Sequence, residues 1–556
     1  MVGDDFVRSD WGEPMTIRDF FAPALVLGAT LIAATARGQA APPAEGDLFG
    51  PGAIPRIEIT IAPEELVKLK AEPRKYVKAT IVEGDRGTAS EVGIKLMGAA
   101  GSFRDWDDRP ALTVNAAKYR KGGRFHGLAK FHLNNSAQDE TLLNELLAAD
   151  LFRKAGVPAP RVGHARLRLD GREMGVYVLK EGFDRPFLER SFPDPTGNLY
   201  DGGFLQDLDA ELERDEGSGP DDRSDLRAIV DAAADPDPKA RARRLESLVD
   251  LDAFLSLMAM ERMINHWDGY ADKANNYRVY FDPRRGGKAV ILPHGMDQVF
   301  GDPGAGLFDD ATAILSAPIV RSDDLRRRYR ARVERLVPLM SPADDLLRRV
   351  DEATLRLRPA LEAIDPARAA DHAGQVAALK ERLVARAANL REQLARPDDP
   401  FQTFDGRGSS PLNDWWSGTD EGEADLDTPL AIRAKGDAPS VASWRRAVVL
   451  GPGRYTLHAD ARLDRVIPPD DRPDEGGVSI GPADGDRSPR LRGTTEVVPL
   501  AQTFTIRDDR RRVTLVLELR AKSGGVRFSP DSLRLTREPD DTPRPVGVPC
   551  SDPGGE

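Results

Sequence analysis

The sequence predicts an α+β fold: a region of mixed strands and helices, followed by a small antiparallel β-sandwich. Three observations predict it. Runs of alternating polar and apolar residues fill 55–135 and lead into a helix with clear end signals. Arg-rich stretches with helical spacing occupy 320–396. Beyond a break at 396–414, rich in Pro, Gly, Ser and Asp, the period becomes two and stays there.

Taken in order, the N-terminus comes first. Residues 15–43, "MTIRDFFAPALVLGATLIAATARGQAAPP", read as a secretory signal: Arg18 supplies the positive start, 20–36 is apolar, and Ala34-Thr35-Ala36 fits small-x-small cleavage. The acidic "MVGDDFVRSDWGEP" before it is wrong for such a start, so Met15 is a candidate true beginning. A membrane anchor is the competing reading, but Pro23 and Gly28 interrupt a run of about the minimum spanning length, and cleavage is preferred. The sequence therefore predicts an exported protein, periplasmic, cell-surface or extracellular, with no stable membrane span. Its expected organisation is signal peptide 1–40, a main domain over 55–396 with a charged insertion at 201–250, a linker at 397–412, a sandwich at 413–540 and a polar tail at 541–556.

In the main domain, "PRIEITI", "EVGIKLMG", "PALTVNA" and "LAKFHLN" read as strands, with the glycine-containing loop "GAAGSFRDWDDR" between the second and third. "SAQDETLLNELLAADLFRKAG" reads as a helix that Ser136 or Asp139 caps and Gly156 ends. "HARLRLDG" and "MGVYVLKE" follow as strands around a turn at Asp170-Gly171. Residues 247–265, "SLVDLDAFLSLMAMERMIN", form a buried helix, and the Arg-rich helices after 320 carry enough Asp and Glu to be solvated faces. "RYTLHADARL", "RRVTLVLELRA" and "GVRFSPDSLRLT" give the sandwich its strands.

Composition narrows function. A formal net charge of −12 leaves no broad positive field, which argues against nucleic acid. The single cysteine, Cys550, permits neither an intrachain disulfide nor a thiolate cluster.

The chemistry concentrates in "HWDGYADKANNYRVYFDP" (266–283) and "LPHGMDQVFG" (292–301). Asp268, Asn275 or Asn276, and Asp297 can converge at one end of a strand pair. Two carboxylates and an amide suit a hard divalent cation beside a hydroxyl that must lose its proton. That is the composition of a phosphoryl-transfer site. His266 and His294 flank the two acids without the spacing of a zinc site. No nucleophile elbow or Walker loop is present.

These residues resemble the CotH family, the spore-coat H-type atypical kinases. The resemblance covers 55–395 and rests on "GAAGSFR", "GLAKFHLNN", "LFRKAGVPAPR", "LDGREMGVYVLKEGFD", "GNLYD" and the two segments above, in that order. It implies a divergent, two-lobed protein-kinase-like fold binding ATP with Mg²⁺ or Mn²⁺. It further implies that Asp268 meets the acceptor hydroxyl, that Asn275 or Asn276 and Asp297 hold metal, and that Lys130 contacts phosphate with Glu145 as its ion-pair partner. Gly98, Gly101 and Ser102 would cover the phosphates, and the backbone around Glu181 would form the adenine-side hinge. The sequence departs from the pattern in three ways. The asparagines stand seven and eight residues after Asp268 rather than five, Asp297 is followed by "QVFG", and His294-Gly295 occupies a position that is often acidic in the family.

Two functions follow from the resemblance. One is an exported kinase transferring the γ-phosphoryl group of ATP to Ser or Thr of a secreted or cell-surface protein. The alternative is a catalytically inactive surface structural or adhesive protein on the same scaffold. In the sandwich, Trp415, Trp416 and Trp444 either fill the core or stack on a carbohydrate.

Overall fold

The computed structural model describes residues 48–538, apart from 85, 86, 88, 100, 428, 436 and 437. The expected signal peptide and Cys550 lie outside the described residues. Helices and sheets are mixed from residue 48 to 395, and the C-terminal part is built from sheets.

Seven strands close a barrel. They are β1 (Arg56–Thr60), β2 (Val77–Glu83), β3 (Ser90–Met97), β4 (Ala111–Asn115), β5 (Lys130–Asn134), β6 (Val162–Leu169) and β7 (Arg172–Glu181). Their order is β1-β2-β3-β4-β5-β7-β6, antiparallel throughout except where β6 meets β1. The β6–β7 turn falls at Asp170-Gly171, both at positive φ as a tight hairpin requires. The barrel interior holds Phe131, Leu133, Tyr177 and Leu179. The alternate residues Val176 and Val178 point outward into the larger helical core, as the period of two demands.

Helix α1 (Pro63–Ala71) lies between β1 and β2, and α2 (Asn144–Lys154) between β5 and β6. The second is shorter than the sequence predicts. Asp139 does cap, but from five residues back: its carboxylate accepts from Thr141 and from the Asn144 N–H (2.9 Å), so 136–143 is a bonded turn rather than helix. After α3 (Arg185–Ser191), β8 (Leu199–Asp201), β9 (Glu213–Glu216), β10 (Tyr277–Asp282) and β11 (Lys288–Pro293) form a sheet of order β11-β10-β8-β9. The charged stretch 201–250 includes β9, α4 (Ser224–Ala233) and α5 (Pro238–Leu248). Next come α6 (Leu251–Met263) and the short α7 (Tyr270–Lys273). Four helices close this part: α8 (Ser316–Arg321), α9 (Asp323–Leu336), α10 (Asp344–Ile364) and α11 (Pro366–Ala395). Every residue of α6 except Asp252 and Ala253 is buried, which accounts for its nearly continuous apolar sequence.

The C-terminal strands are β12 (Ser409–Pro411), β13 (Trp416–Glu421), β14 (Glu423–Asp427), β15 (Ala431–Lys435), β16 (Ser440–Leu450), β17 (Gly453–Ile467), β18 (Gly477–Pro482), β19 (Gly493–Ile506), β20 (Arg511–Ala521), β21 (Ser523–Phe528) and β22 (Arg534–Arg537). One sheet runs β12-β22-β17-β21-β15-β14 with β19 paired to β17, and the other runs β13-β16-β20-β18. A shared apolar core with Leu457, Leu515 and Phe528 lies between them.

Candidate functional site

Helix α6 ends at Met263, and the chain turns through Asn265 at positive φ into His266-Trp267-Asp268. A fully buried carboxylate fixes this loop. Glu261 accepts the N–H groups of Tyr270 (3.1 Å) and Ala271 (2.8 Å), and burial pushes its carboxyl up to about 8. A Cβ at position 269 would stand 2.8 Å from Glu261 Oε1, so glycine is needed there. His266 donates from Nε2 to the His294 carbonyl (3.0 Å), and burial pulls its pKa down to about 4, which keeps the ring neutral. Asp268 is thereby tied to the segment after β11.

The two asparagines divide their work. Asn276 donates from Nδ2 to Asp268 Oδ2 (2.9 Å) and to its carbonyl (3.0 Å). Asn275 is buried and accepts from the Leu205 N–H (3.0 Å), bracing the loop after β8. Asn276 adopts positive φ, a conformation Asn tolerates. Gly295 does too, and a Cβ there would fall 2.2 Å from Asn276 Oδ1. Asp297 follows on a short turn whose carbonyl accepts from Asn144 of α2 (2.7 Å). Burial first, then the neighbouring Glu145, raises the Asp297 carboxyl above the usual range, and Lys180 opposes them.

Lys180 marks a correction. The sequence pointed to Lys130 as the partner of Glu145, but the Glu145 carboxylate meets Lys180 Nζ at 2.5 Å, and both side chains are only 2% exposed. Asn134 adds a longer contact to Glu145 (3.4 Å). Lys130 begins β5 and Asn134 ends it, roughly 13 Å apart along the strand, and α2 presents Glu145 at the Asn134 end. Lys180 lies opposite His132, on the neighbouring strand and nearer that end. Lys130 instead stands 3.9 Å from Asp215 of β9. Strand alternation carried the missed signal: Lys180 continues the outward set of Val176 and Val178, a lone charge on an otherwise apolar, covered face.

Glu181 is the second correction. Its N–H donates to the Arg161 carbonyl (2.9 Å), and its buried carboxylate accepts from Arg161 (3.1 Å) and Arg190 (2.7 Å). It does not line the cavity, and its backbone donor is already in use.

Six of the predicted residues, Gly98, Ser102, Asp268, Asn275, Asn276 and Asp297, meet with Lys180 at one cavity of about 630 Å³, while Gly101 and Glu145 stand behind its walls. Gly98 and Gly101 take the positive φ that their loop needs, and Ser102 Oγ accepts from the Ala99 N–H (3.0 Å). A Cβ at Gly101 would come 2.8 Å from Gln138 Nε2. Sequence reasoning also missed Arg74. It reaches from beyond α1 to donate to the Gly98 carbonyl (2.5 Å) and covers the Phe103 ring at 4.8 Å, so it pins the loop. No local pattern around Arg74 signals this.

Among the described residues, no group of three or more His, Cys, Asp or Glu side chains is placed to hold a metal ion by itself. None of the described helices is long and apolar enough to cross a membrane. Of the three tryptophans, Trp444 is buried in the C-terminal core with its Nε1 on the Ala431 carbonyl, Trp415 packs on that core, and Trp416 is 46% exposed.

Known proteins resemble this chain in sequence. Spore coat protein homolog 1 of Rhizopus delemar is 26% identical over 185 residues, covering 31% of this chain and 30% of that protein. Invasin CotH7 of the same organism is 28% identical over 190 residues, 31% of each. The chain thus spans under a third of the length of these two relatives. Inner spore coat protein H of Bacillus subtilis is 24% identical over 259 residues, 42% of this chain and 69% of that one. A carbohydrate-binding module solved with β-1,4-galactotriose matches 23% of this chain at 16% identity and a TM-score of 0.15, too slight a likeness to argue from. The family described as CotH kinase protein matches residues 95–390, more than half of the 556. The chain belongs to that family.

Proposed function

We propose that this chain is an exported atypical protein kinase with a two-lobed, kinase-like arrangement, transferring the γ-phosphoryl group of ATP to Ser or Thr of a secreted or cell-surface protein. The observation that carries this reading is one cavity lined by Lys180, Asp297, Asp268 and Asn276, with Lys180 held from behind by the buried Glu145.

The residues fit Mg²⁺-ATP, or its Mn²⁺ form. Asp297 and an Asn amide are too few to cage a metal alone, which matches an ion that takes one or two protein ligands and the rest from phosphate and water. The nucleotide would supply the phosphoryl group, with the metal offsetting charge on its oxygens. Asp297 and the Asn276 Oδ1 are the groups to hold that ion. Glu145 holds the Lys180 ammonium at the cavity wall, within reach of phosphate oxygens. Asp268, oriented by Asn276 Nδ2, accepts the proton of the incoming hydroxyl. Glu261 and His266 keep its loop from shifting.

The test is transfer of labelled γ-phosphate by residues 41–556 with Mg²⁺ or Mn²⁺. Label should appear on protein, and Lys180→Met or Asp297→Asn should reduce it roughly 100- to 1,000-fold, whereas Lys130→Met retains it. Saturating Mg²⁺-ATP at a hundred times its Kd should stabilise the fold by about 2.7 kcal/mol. Absence of label together with absence of a melting shift would leave the inactive, structural reading in its place.

A further inference from the structure

Arg74 lies between α1 and β2, ahead of the residues 95–390 that match the family. Its backbone is anchored, because the Leu96 N–H donates to the neighbouring Pro73 carbonyl (2.8 Å) and ties this segment to the end of β3. Its guanidinium is anchored too. One terminal nitrogen donates to the Gly98 carbonyl (2.5 Å), and the other makes a longer contact to the Leu96 carbonyl (3.4 Å). The guanidinium carbon stands 4.8 Å from the centre of the Phe103 ring. A guanidinium offers more N–H groups than these two contacts use.

Three cationic side chains line the cavity: Arg74, Lys180 and Arg278. Two of them already have carboxylate partners. Lys180 is held by Glu145, and Arg278 meets Asp201 at 2.7 Å and Asp215 at 3.7 Å. Arg74 touches carbonyls and a ring, and among the described residues it has no carboxylate partner. A Mg²⁺-nucleotide still carries net negative charge, and Glu211, Glu213, Asp268 and Asp297 add to it in the same cavity. Among the described lining residues, Arg74 is therefore the cation whose charge no carboxylate balances, and a guanidinium fork matches phosphate oxygens.

Resting on the reading that this cavity takes Mg²⁺-ATP, we infer that Arg74 is a phosphate-binding residue. Its remaining N–H groups donate to polyphosphate oxygens of the nucleotide as charge-assisted hydrogen bonds beside the Gly98–Ser102 loop. The same side chain fixes the loop and binds what the loop covers. Its carbonyl and ring contacts hold the fork in place before the nucleotide arrives, so little side-chain freedom is lost on binding.

The experiment is calorimetric titration of the full chain with Mg²⁺-ATP at low and high salt, comparing Arg74→Gln, Arg74→Lys and Lys75→Gln with the parent. Glutamine keeps an N–H donor for the Gly98 carbonyl but no charge, and lysine keeps both. Lys75→Gln removes the same charge from the next residue, which pairs with Glu72 and does not line the cavity. Arg74→Gln should weaken Mg²⁺-ATP roughly tenfold and flatten its salt dependence. Arg74→Lys should recover part of that loss, and Lys75→Gln should bind like the parent. Arg74 is exposed, so each variant should melt like the parent without nucleotide. The proposal is overturned if Arg74→Gln binds as the parent does, which would leave Arg74 a loop pin only. Weakened binding with an unchanged salt dependence, or equal weakening by Lys75→Gln, overturns it too. Those results leave the kinase reading standing, whereas a parent protein that binds no Mg²⁺-ATP removes both.

Discussion

His164 uses both ring nitrogens. Nε2 meets the Leu142 carbonyl at 2.8 Å, and Nδ1 meets the Arg356 guanidinium at 3.0 Å. A carbonyl needs a proton on Nε2 and a guanidinium needs a lone pair on Nδ1, so the fold demands the neutral ring. Burial pulls its pKa down to about 4. A depressed folded value means that this stability is complete above the unfolded pKa near 6.5 and is lost as pH falls from there toward 4. The contribution is on the order of 3 kcal/mol. His164→Gln should therefore cost most near pH 7, and its stability gap to the parent protein should close by about that amount at pH 4, read by denaturant melts across the range. A gap independent of pH would mean that the ring tolerates protonation. At the same scale, Lys180 shows why the lysine beside Glu145 was hard to read. Lys130 and Lys180 are both single lysines on strands beside α2, and only the pairing of β5 with β7 decides which one Glu145 meets.

The elements differ in how much of them the sequence exposed. The β6–β7 hairpin was legible because Asp170-Gly171 is a local signal, and α6 because its apolar run is local too. The start of α2 was not, since Asp139 caps from a preceding turn rather than from the helix edge. Asp268, Asn276 and Asp297 were legible as a group through the ordered motifs. The different task of Asn275 depends on Leu205, 70 residues away in the chain. The segment between β11 and Asp297 makes a sharp prediction. At Gly295 the positive φ and the 2.2 Å approach of Asn276 Oδ1 both exclude a side chain. Gly295→Ala should displace Asn276 from Asp268 and destabilise by roughly 1–3 kcal/mol. It should also abolish the ATP-induced melting shift. A variant that melts and responds like the parent would show that Asn276 has room to move.

Across the whole molecule, arginines tie the C-terminal sheets to the helices. Arg241 on α5 meets Asp508 at 2.9 Å with both side chains nearly buried, Arg326 grips Asp398 through two contacts, and the Arg510 N–H donates to the Arg321 carbonyl. None of this was visible in the sequence, because Arg241 and Asp508 are 267 residues apart and each reads as an ordinary charge. Removing Arg241 leaves Asp508, in a poorly solvated place, with only the longer Arg511 contact at 3.6 Å. Arg241→Met should cost about 3 kcal/mol, whereas the double variant Arg241→Met with Asp508→Leu should cost much less than the two singles added together. Simple additivity would mean that the pair is in effect solvated.

Strand β7 sets a limit on how such chains can vary in length. Its last two residues face opposite ways: Lys180 enters the cavity, and Glu181 turns to Arg161 and Arg190. One residue gained or lost between the hairpin turn and Lys180 would exchange them, putting an anion where phosphate is expected and a cation between two arginines. Both ends of the strand would fail at once. Insertions in related chains should therefore collect in the loops outside β7, and any that persist within it should come in pairs or as a bulge.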